Sequence, residues 1–213
     1  MTDFDISLYL VTDRSLSAGR ELDNIVEEAV RGGVTMVQLR EKQCSSREFF
    51  QLAVRLKKCL APWRVPLIIN DRLDIALACD ADGLHLGQSD LPCAIARKIL
   101  GKNKIIGLSV EHVMQVVEAN REEVDYIGIS PVFSTPTKSD TAPELGLKGV
   151  REITSMARCP AVAIGGMNIR NAQEVIAAGA DGISVVSAIM SAPDPRLAAS
   201  ELINVVNKSK KVM

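Results

Sequence analysis

Eight short runs of apolar, β-prone residues constrain this chain more than any other feature. They are residues 8–12 (LYLVT), 36–39 (MVQL), 66–69 (PLII), 83–86 (GLHL), 105–109 (IIGLS), 126–130 (YIGIS), 161–164 (AVAI) and 182–186 (GISVV). Their starts recur roughly every 25 residues, the length of one compact strand–helix unit. Between them lie helical patterns at 23–30, 46–60, 92–100, 113–120, 150–157, 171–178 and 197–206. In the first, Ile25, Val26, Ala29 and Val30 share one face and the charges fall on the other. Near-continuous apolar strands alternating with helices predict a parallel sheet, because each crossover lays a helix on a sheet face. Three junctions repeat a local signature: RGGV at 31–34, ACDADG at 78–83 and AGADG at 178–182. In each a helix is expected to end on a small or left-handed residue before a strand opens. Eight such units in 213 residues predict a small α/β protein of the (β/α)8, or TIM, barrel type, with residues 1–213 forming one domain. An open doubly wound sheet is the alternative architecture.

Composition removes whole classes of partner. Twenty-five basic and 26 acidic residues give a net charge of −1, which leaves no basic footprint for nucleic acid. Aromatics are 3% of the chain, little stacking surface for bases. No apolar run approaches the roughly 18 residues that span a bilayer. The acidic start, MTDFD, lacks the basic opening of a signal peptide, so a cytoplasmic location is expected. The five cysteines are odd in number and contain no Cys-x-x-Cys, and only two histidines accompany them. Buried free thiols in a reducing compartment are expected rather than a zinc site.

In a barrel of this kind the site lies at the C-terminal ends of the strands. After the second run comes Gln38-Leu39-Arg40-Glu41-Lys42; alternation aims Gln38, Arg40 and Lys42 at one face and Leu39 and Glu41 at the other. Two cations and an amide converging there suit an oxygen-rich anion. Asn70 and Asp71 follow the third run, and Asp90 follows the fourth. The two carboxylates could share a hard divalent cation such as Mg2+, or Asp90 could instead cap the helix that begins near Leu91-Pro92. His85, inside a strand, reads as a hydrogen-bonded barrel-interior residue rather than a base. Ser109 ends the fifth run. The longest irregular stretch, 131–146, offers Thr135, Thr137 and Lys138 on a segment long enough to be a lid or binding loop. Gly165-Gly166 and Val186-Ser187 follow the seventh and eighth runs, where backbone N–H groups commonly hold phosphate. One cationic, metal-assisted anion site and one backbone-built anion site are therefore expected in one barrel.

Taken in order, YLVTD at 9–13, VQLREK at 37–42, IND at 69–71, GLHLGQSD at 83–90, GLS at 107–109, TPTK at 135–138, GGM at 165–167 and VSAI at 186–189 resemble the thiamine phosphate synthase family over nearly the whole chain. The resemblance implies a transferase that joins hydroxymethylpyrimidine pyrophosphate to hydroxyethylthiazole phosphate, with thiamine phosphate and pyrophosphate as products. It further implies that Arg40, Lys42, Asn70 and Lys138 bind pyrophosphate, with Arg40, Lys42 and Lys138 stabilising its departure, and that Asp71 and Asp90 hold Mg2+. Gln38 would approach the pyrimidine, Ser109, Thr135 and Thr137 would line the substrates, and Gly166, Val186 and Ser187 would receive the thiazole phosphate. Ser130, Ser134 and Val186 depart from the usual pattern around the lid and pocket without removing a charge. Three rivals remain: a tautomerase-like relative acting on a thiazole phosphate, a Schiff-base aldolase using Lys42, and a ligand sensor on an inactive barrel.

Overall fold

The computed structural model describes residues 4–122, 124–134 and 143–211. Eight parallel strands close into a barrel in chain order, β1 Leu8–Val11, β2 Met36–Leu39, β3 Leu67–Asn70, β4 Gly83–Leu86, β5 Ile105–Val110, β6 Tyr126–Ile129, β7 Ala161–Ile164 and β8 Gly182–Val185, with β8 pairing back onto β1. The helices are α1 Leu22–Arg31, α2 Ser46–Leu60, α3 Leu73–Ala78, α4 Cys93–Leu100, α5 Val113–Ala119, α6 Gly146–Met156, α7 Ala172–Ala177, α8 Ser187–Met190 and α9 Pro195–Lys210. Closure excludes the open doubly wound sheet. Among the described residues no helix is long and apolar enough to cross a membrane.

The strands separate two cores. Their outward side chains join the inner faces of the helices, as Leu10, Leu39, Leu84 and Ile127 do beside Val26, Leu56 and Ile153. Their inward side chains fill the barrel with Tyr9, Met36, Ile68, Ile105, Tyr126 and Val162. Each strand is therefore buried on both faces, which is why it reads as a continuous apolar run rather than an alternation.

Helix ends obey local chemistry. Ser45 accepts the Glu48 N–H at the start of α2 (3.2 Å), and Asp194 accepts the Leu197 N–H at the start of α9 (2.9 Å), where Pro195 takes the first helical position. The three repeated junctions do turn through left-handed residues, Gly33 (φ 111°), Asp80 (φ 53°) and Gly179 (φ 107°). Helix α6 begins four residues before its apolar pattern, where Gly146 N–H donates to Val132 O (2.9 Å) and ties the helix start to the loop that follows β6.

At the bottom of the barrel one bond pattern recurs before every even strand. Thr35, Asp82, Asp125 and Asp181 each donate their backbone N–H to a carbonyl of the preceding strand, Leu8, Leu67, Ile106 and Ala161. Each then accepts that same residue's N–H on its side chain, at 3.0, 2.8, 2.7 and 2.8 Å. These pairs satisfy N–H groups that would otherwise lie at the mouth of the barrel without a partner.

Candidate active site

The C-terminal ends of the strands surround a cavity of about 430 Å³. Every described residue expected at the site lines it: Gln38, Arg40, Lys42, Asn70, Asp71, Asp90, Ser109, Gly166, Val186 and Ser187. Thr135, Thr137 and Lys138 lie outside the described residues.

On β2 the alternation works as the sequence requires. Gln38 turns into the barrel and is buried, and Arg40 and Lys42 follow it up the cavity wall. Leu39 points into the outer core, and Glu41 is gripped from outside by Arg14, whose Nε and Nη2 donate to it at 2.8 and 2.7 Å. Arg14 also meets Glu48 of α2. Among the described residues neither Arg40 nor Lys42 forms an ion pair, so the cavity keeps two charges available for an anion.

Asp71 follows β3 in the left-handed conformation (φ 60°), a region that Asp tolerates better than most residues. The turn brings its carboxyl beside that of Asp90. Although Asp71 opens onto the cavity, surrounding protein partly desolvates it, and the Asp90 charge adds to that effect. Its pKa rises to about 6 despite the opposing charges of Arg40 and Lys42. Asp90 does not cap α4. Its Oδ2 accepts the Gly87 N–H (2.7 Å), closing the turn after β4, and the helix starts past Pro92 without a side-chain cap. Adjacent carboxylates that repel each other suit a shared cation. No group of three or more His, Cys, Asp or Glu converges among the described residues, so water and ligand oxygens would complete its shell.

The opposite wall is largely apolar, with Val162, Ile164, Met167 and Val185. Gly165 (φ 103°) and Gly166 (φ 63°) make the turn after β7. Their lack of a side chain serves the protein's own backbone: a Cβ on Gly165 would lie 2.9 Å from Pro131 Cα, and one on Gly166 2.7 Å from Ser134 O. Val132 and Phe133 donate to Ile164 O and Gly165 O (2.9 and 3.1 Å), anchoring the first part of the loop after β6 on the loop after β7. Ser187 opens the short helix α8, whose first N–H groups have no intrahelical partner. Arg20 holds the far end of α8 by donating to Met190 O and Ala192 O (2.6 and 2.7 Å).

His85 is an interior residue, as expected, bonded at Nδ1 to Tyr126 Oη (2.8 Å) and at Nε2 to Ser109 Oγ (2.9 Å). Sequence reasoning missed Gln88, whose Nε2 donates to Ser109 O (2.6 Å) and joins the turn after β4 to the end of β5. It also missed Ser184, a buried cavity-lining hydroxyl on β8 with no hydrogen-bond partner among the described residues. Gln88 stands next to Ser89-Asp90, which could have flagged it; Ser184 sits in an apolar run and carries no such signal. Of the five cysteines only Cys79 and Cys93 are buried, and desolvation raises all five thiols, Cys93 to about 12. None is an activated nucleophile.

A closed parallel barrel with cations and paired carboxylates on one side of its strand-end cavity, and glycine turns and a helix start on the other, is the architecture of a (β/α)8 enzyme with its polar groups gathered at the strand ends. Residues 8–189 match the family model described as thiamine monophosphate synthase, and the chain belongs to that family. The thiamine-phosphate synthase of Syntrophomonas wolfei is 55% identical over 194 residues, covering 91% of this chain and 93% of that protein. That of Clostridium novyi is 49% identical over 203 residues, covering 95% of this chain and the whole of its own length. A solved structure of thiamine phosphate pyrophosphorylase from Pyrococcus furiosus superposes with a TM-score of 0.88 at 39% identity, over 96% of each chain.

Proposed function

We infer that this chain condenses hydroxymethylpyrimidine pyrophosphate with hydroxyethylthiazole phosphate, forming thiamine phosphate and releasing pyrophosphate. The observation that carries the reading is the pairing, in one cavity, of unneutralised Arg40 and Lys42 with the adjacent carboxyls of Asp71 and Asp90. Pyrophosphate leaves from the methylene carbon on the pyrimidine as the carbon–oxygen bond breaks. Arg40 and Lys42, with Asn70 beside them and Lys138 from the loop after β6, stabilise the negative charge that develops on the leaving group. The amino-substituted pyrimidine delocalises the positive charge left behind, and the thiazole nitrogen attacks the methylene carbon.

Gln38 and Ser109 face the pyrimidine, and Thr135 and Thr137 contact the substrates. Gly166, Val186 and Ser187 receive the thiazole phosphate and so aim its nitrogen. The apolar wall of Val162, Ile164 and Val185 keeps water from the carbocation. No protein nucleophile or general base takes part; the residues promote ionisation and hold the two partners together. Asp71 and Asp90 suit Mg2+, which when bound supplies further positive charge against the pyrophosphate oxygens.

With both substrates and Mg2+, the protein should release one pyrophosphate per thiamine phosphate formed. Asp90→Asn should lower kcat/KM by at least about a hundredfold, as removal of one preorganised electrostatic partner commonly does. Full turnover by Asp90→Asn would sink the metal assignment. Binding of both phosphates without pyrophosphate release would point to a sensor, and borohydride trapping of substrate on Lys42 to an aldolase.

A further inference from the structure

At the cavity floor, a continuous hydrogen-bonded file runs across the inside of the barrel, with Tyr9 and His85 as well as Gln38 and Ser109 lining the cavity. Gln38 Nε2 on β2 donates to Tyr9 Oη on β1 (2.8 Å), Tyr9 Oη meets Tyr126 Oη on β6 (2.8 Å), and Tyr126 Oη meets His85 Nδ1 on β4 (2.8 Å). His85 Nε2 meets Ser109 Oγ on β5 (2.9 Å). Packing fixes the rings: His85 stacks on Tyr126 with centroids 5.5 Å apart, and Tyr9 meets Tyr126 edge-on at 5.8 Å. Gly107 on β5 leaves the space that the Tyr126 ring fills, and a Cβ on Gly128 of β6 would come within 3.3 Å of His85 Cε1. The side chains of Tyr9, Tyr126 and His85 thus connect Gln38 to Ser109.

Proton counting gives the file a direction. Burial keeps both phenols protonated, so each tyrosine has one proton to give. Gln38 donates into Tyr9, so Tyr9 gives its proton to Tyr126 and Tyr126 gives its own to His85 Nδ1. His85 then carries its proton on Nε2 and donates to Ser109 Oγ, which leaves the serine proton for the cavity. The reverse direction requires Gln38 to turn its amide over, His85 to change tautomer and Ser109 to donate inward, all together. The first arrangement leaves Gln38 Oε1 and the Ser109 hydroxyl proton for the cavity, and the reverse withdraws both of these into the file.

We propose that Tyr9, Tyr126 and His85 are positioning residues that couple Gln38 to Ser109, so that the cavity reads both hydrogen-bonding edges of a pyrimidine as one unit. In the direction seen here an exocyclic amine fits Gln38 Oε1 and an unprotonated ring nitrogen fits Ser109 Oγ–H. A pyrimidine bearing a keto oxygen and a ring N–H meets neither Gln38 Oε1 nor the Ser109 proton with a complementary group, so it fits this arrangement less well at both ends. This inference rests on the pyrimidine pyrophosphate being the substrate.

Nitrogen NMR of protein labelled in histidine tests the file directly, because the chain has only two imidazoles, His85 and His112. His112→Asn assigns the His85 signals. Wild-type His85 should be neutral with its proton on Nε2, and Tyr126→Phe should lose that single tautomer. A wild-type His85 that is protonated on Nδ1, or on both nitrogens, at neutral pH overturns the proposal. Kinetically, Tyr126→Phe should reduce the kcat/KM preference for the amino over the keto pyrimidine pyrophosphate by about tenfold or more, with the KM for thiazole phosphate unchanged. An unchanged preference in the folded variant also overturns it. Tyr9→Phe interrupts the file at another link and serves the same purpose if Tyr126→Phe does not fold. If wild-type protein releases no pyrophosphate, the proposed reaction has failed, and the tautomer still decides the file.

Discussion

Asp71 is held in a backbone conformation that few residues adopt, beside a like charge, in a partly desolvated position. Each of those features opposes folding of the metal-free chain, and under the proposed reading a cation shared by the two carboxylates would offset the repulsion between them. The sign of the pH dependence follows. The folded-state pKa of about 6 lies above the ordinary value of 3.8, so the folded protein binds the proton more tightly. The contribution to stability is complete below about pH 4 and is lost as pH rises from about 4 to about 6. Asp71→Asn keeps the shape and tolerates the same φ, so it should flatten that slope in metal-free protein. It should raise Tm at pH 7 while abolishing most of the turnover. Solvent screening at this open position limits the gain to under about 1 kcal/mol, about 2–4 °C for a domain of this size. Thermal unfolding of both proteins between pH 4 and 8 in chelator measures it, and a variant less stable than wild type at pH 7 would contradict the account. The candidacy of Asp71 and Asp90 was readable from their places after neighbouring strands. Their mutual contact was not, because it depends on the left-handed turn at Asp71 and on the Gly87–Asp90 bond.

Strands and helices were more readable than their ends. All eight strands lie within a residue of their apolar runs, since burial on both faces leaves no other pattern available. The pattern missed the first turn of α6, the short helix α3 from Leu73 to Ala78, and the whole of α8, a single turn from Ser187 to Met190 whose place is fixed by Arg20 rather than by any periodicity of its own. The aspartates of the repeated junctions drew notice only as parts of helix ends, yet Asp82 and Asp181 act on the strands before them. This predicts an asymmetry between two substitutions at one position. Asp82→Ala leaves the Leu67 N–H without its acceptor and should cost about 1–3 kcal/mol. Asp82→Asn retains an acceptor oxygen and should cost well under half as much. Neither should change kcat of the folded enzyme, because the pairs lie at the opposite end of the barrel from the cavity. Denaturant unfolding and steady-state kinetics on both variants check this; equal destabilisation would show that charge, and not the acceptor, matters at Asp82.

A closed barrel has no edge, so the joint between the first and last units decides whether the whole assembly holds. In the sheet that joint is the β1–β8 pair, and outside it the bolt is α9. Leu202 and Val206 of α9 are buried with Ala199 and Pro195, and the helix packs on α1, α7 and α8. Contact with α1 is close enough that a Cβ on Gly32 would lie 2.8 Å from Ala199 Cβ, and one on Gly33 2.8 Å from Ile203 Cγ2. At the other end of α9, Lys210 donates to Ser7 Oγ (2.7 Å) just before β1. Each fully buried Leu or Val is worth about 1.5–3 kcal/mol, and removing α9 also uncovers the faces of α1 and α7 that it shields. The sum approaches the 5–15 kcal/mol that is the whole net stability of a typical domain. A chain ending after Ala192 should therefore show no cooperative thermal transition and elute as aggregate or unfolded protein. A chain ending after Asn207 keeps Leu202 and Val206 and loses only the last turn with the Lys210–Ser7 bond. It should melt cooperatively, about 1 kcal/mol less stable, and still turn over. If the shorter chain folded and released pyrophosphate, the joint would lie in the β1–β8 ladder alone, and α9 would be a cover rather than a bolt.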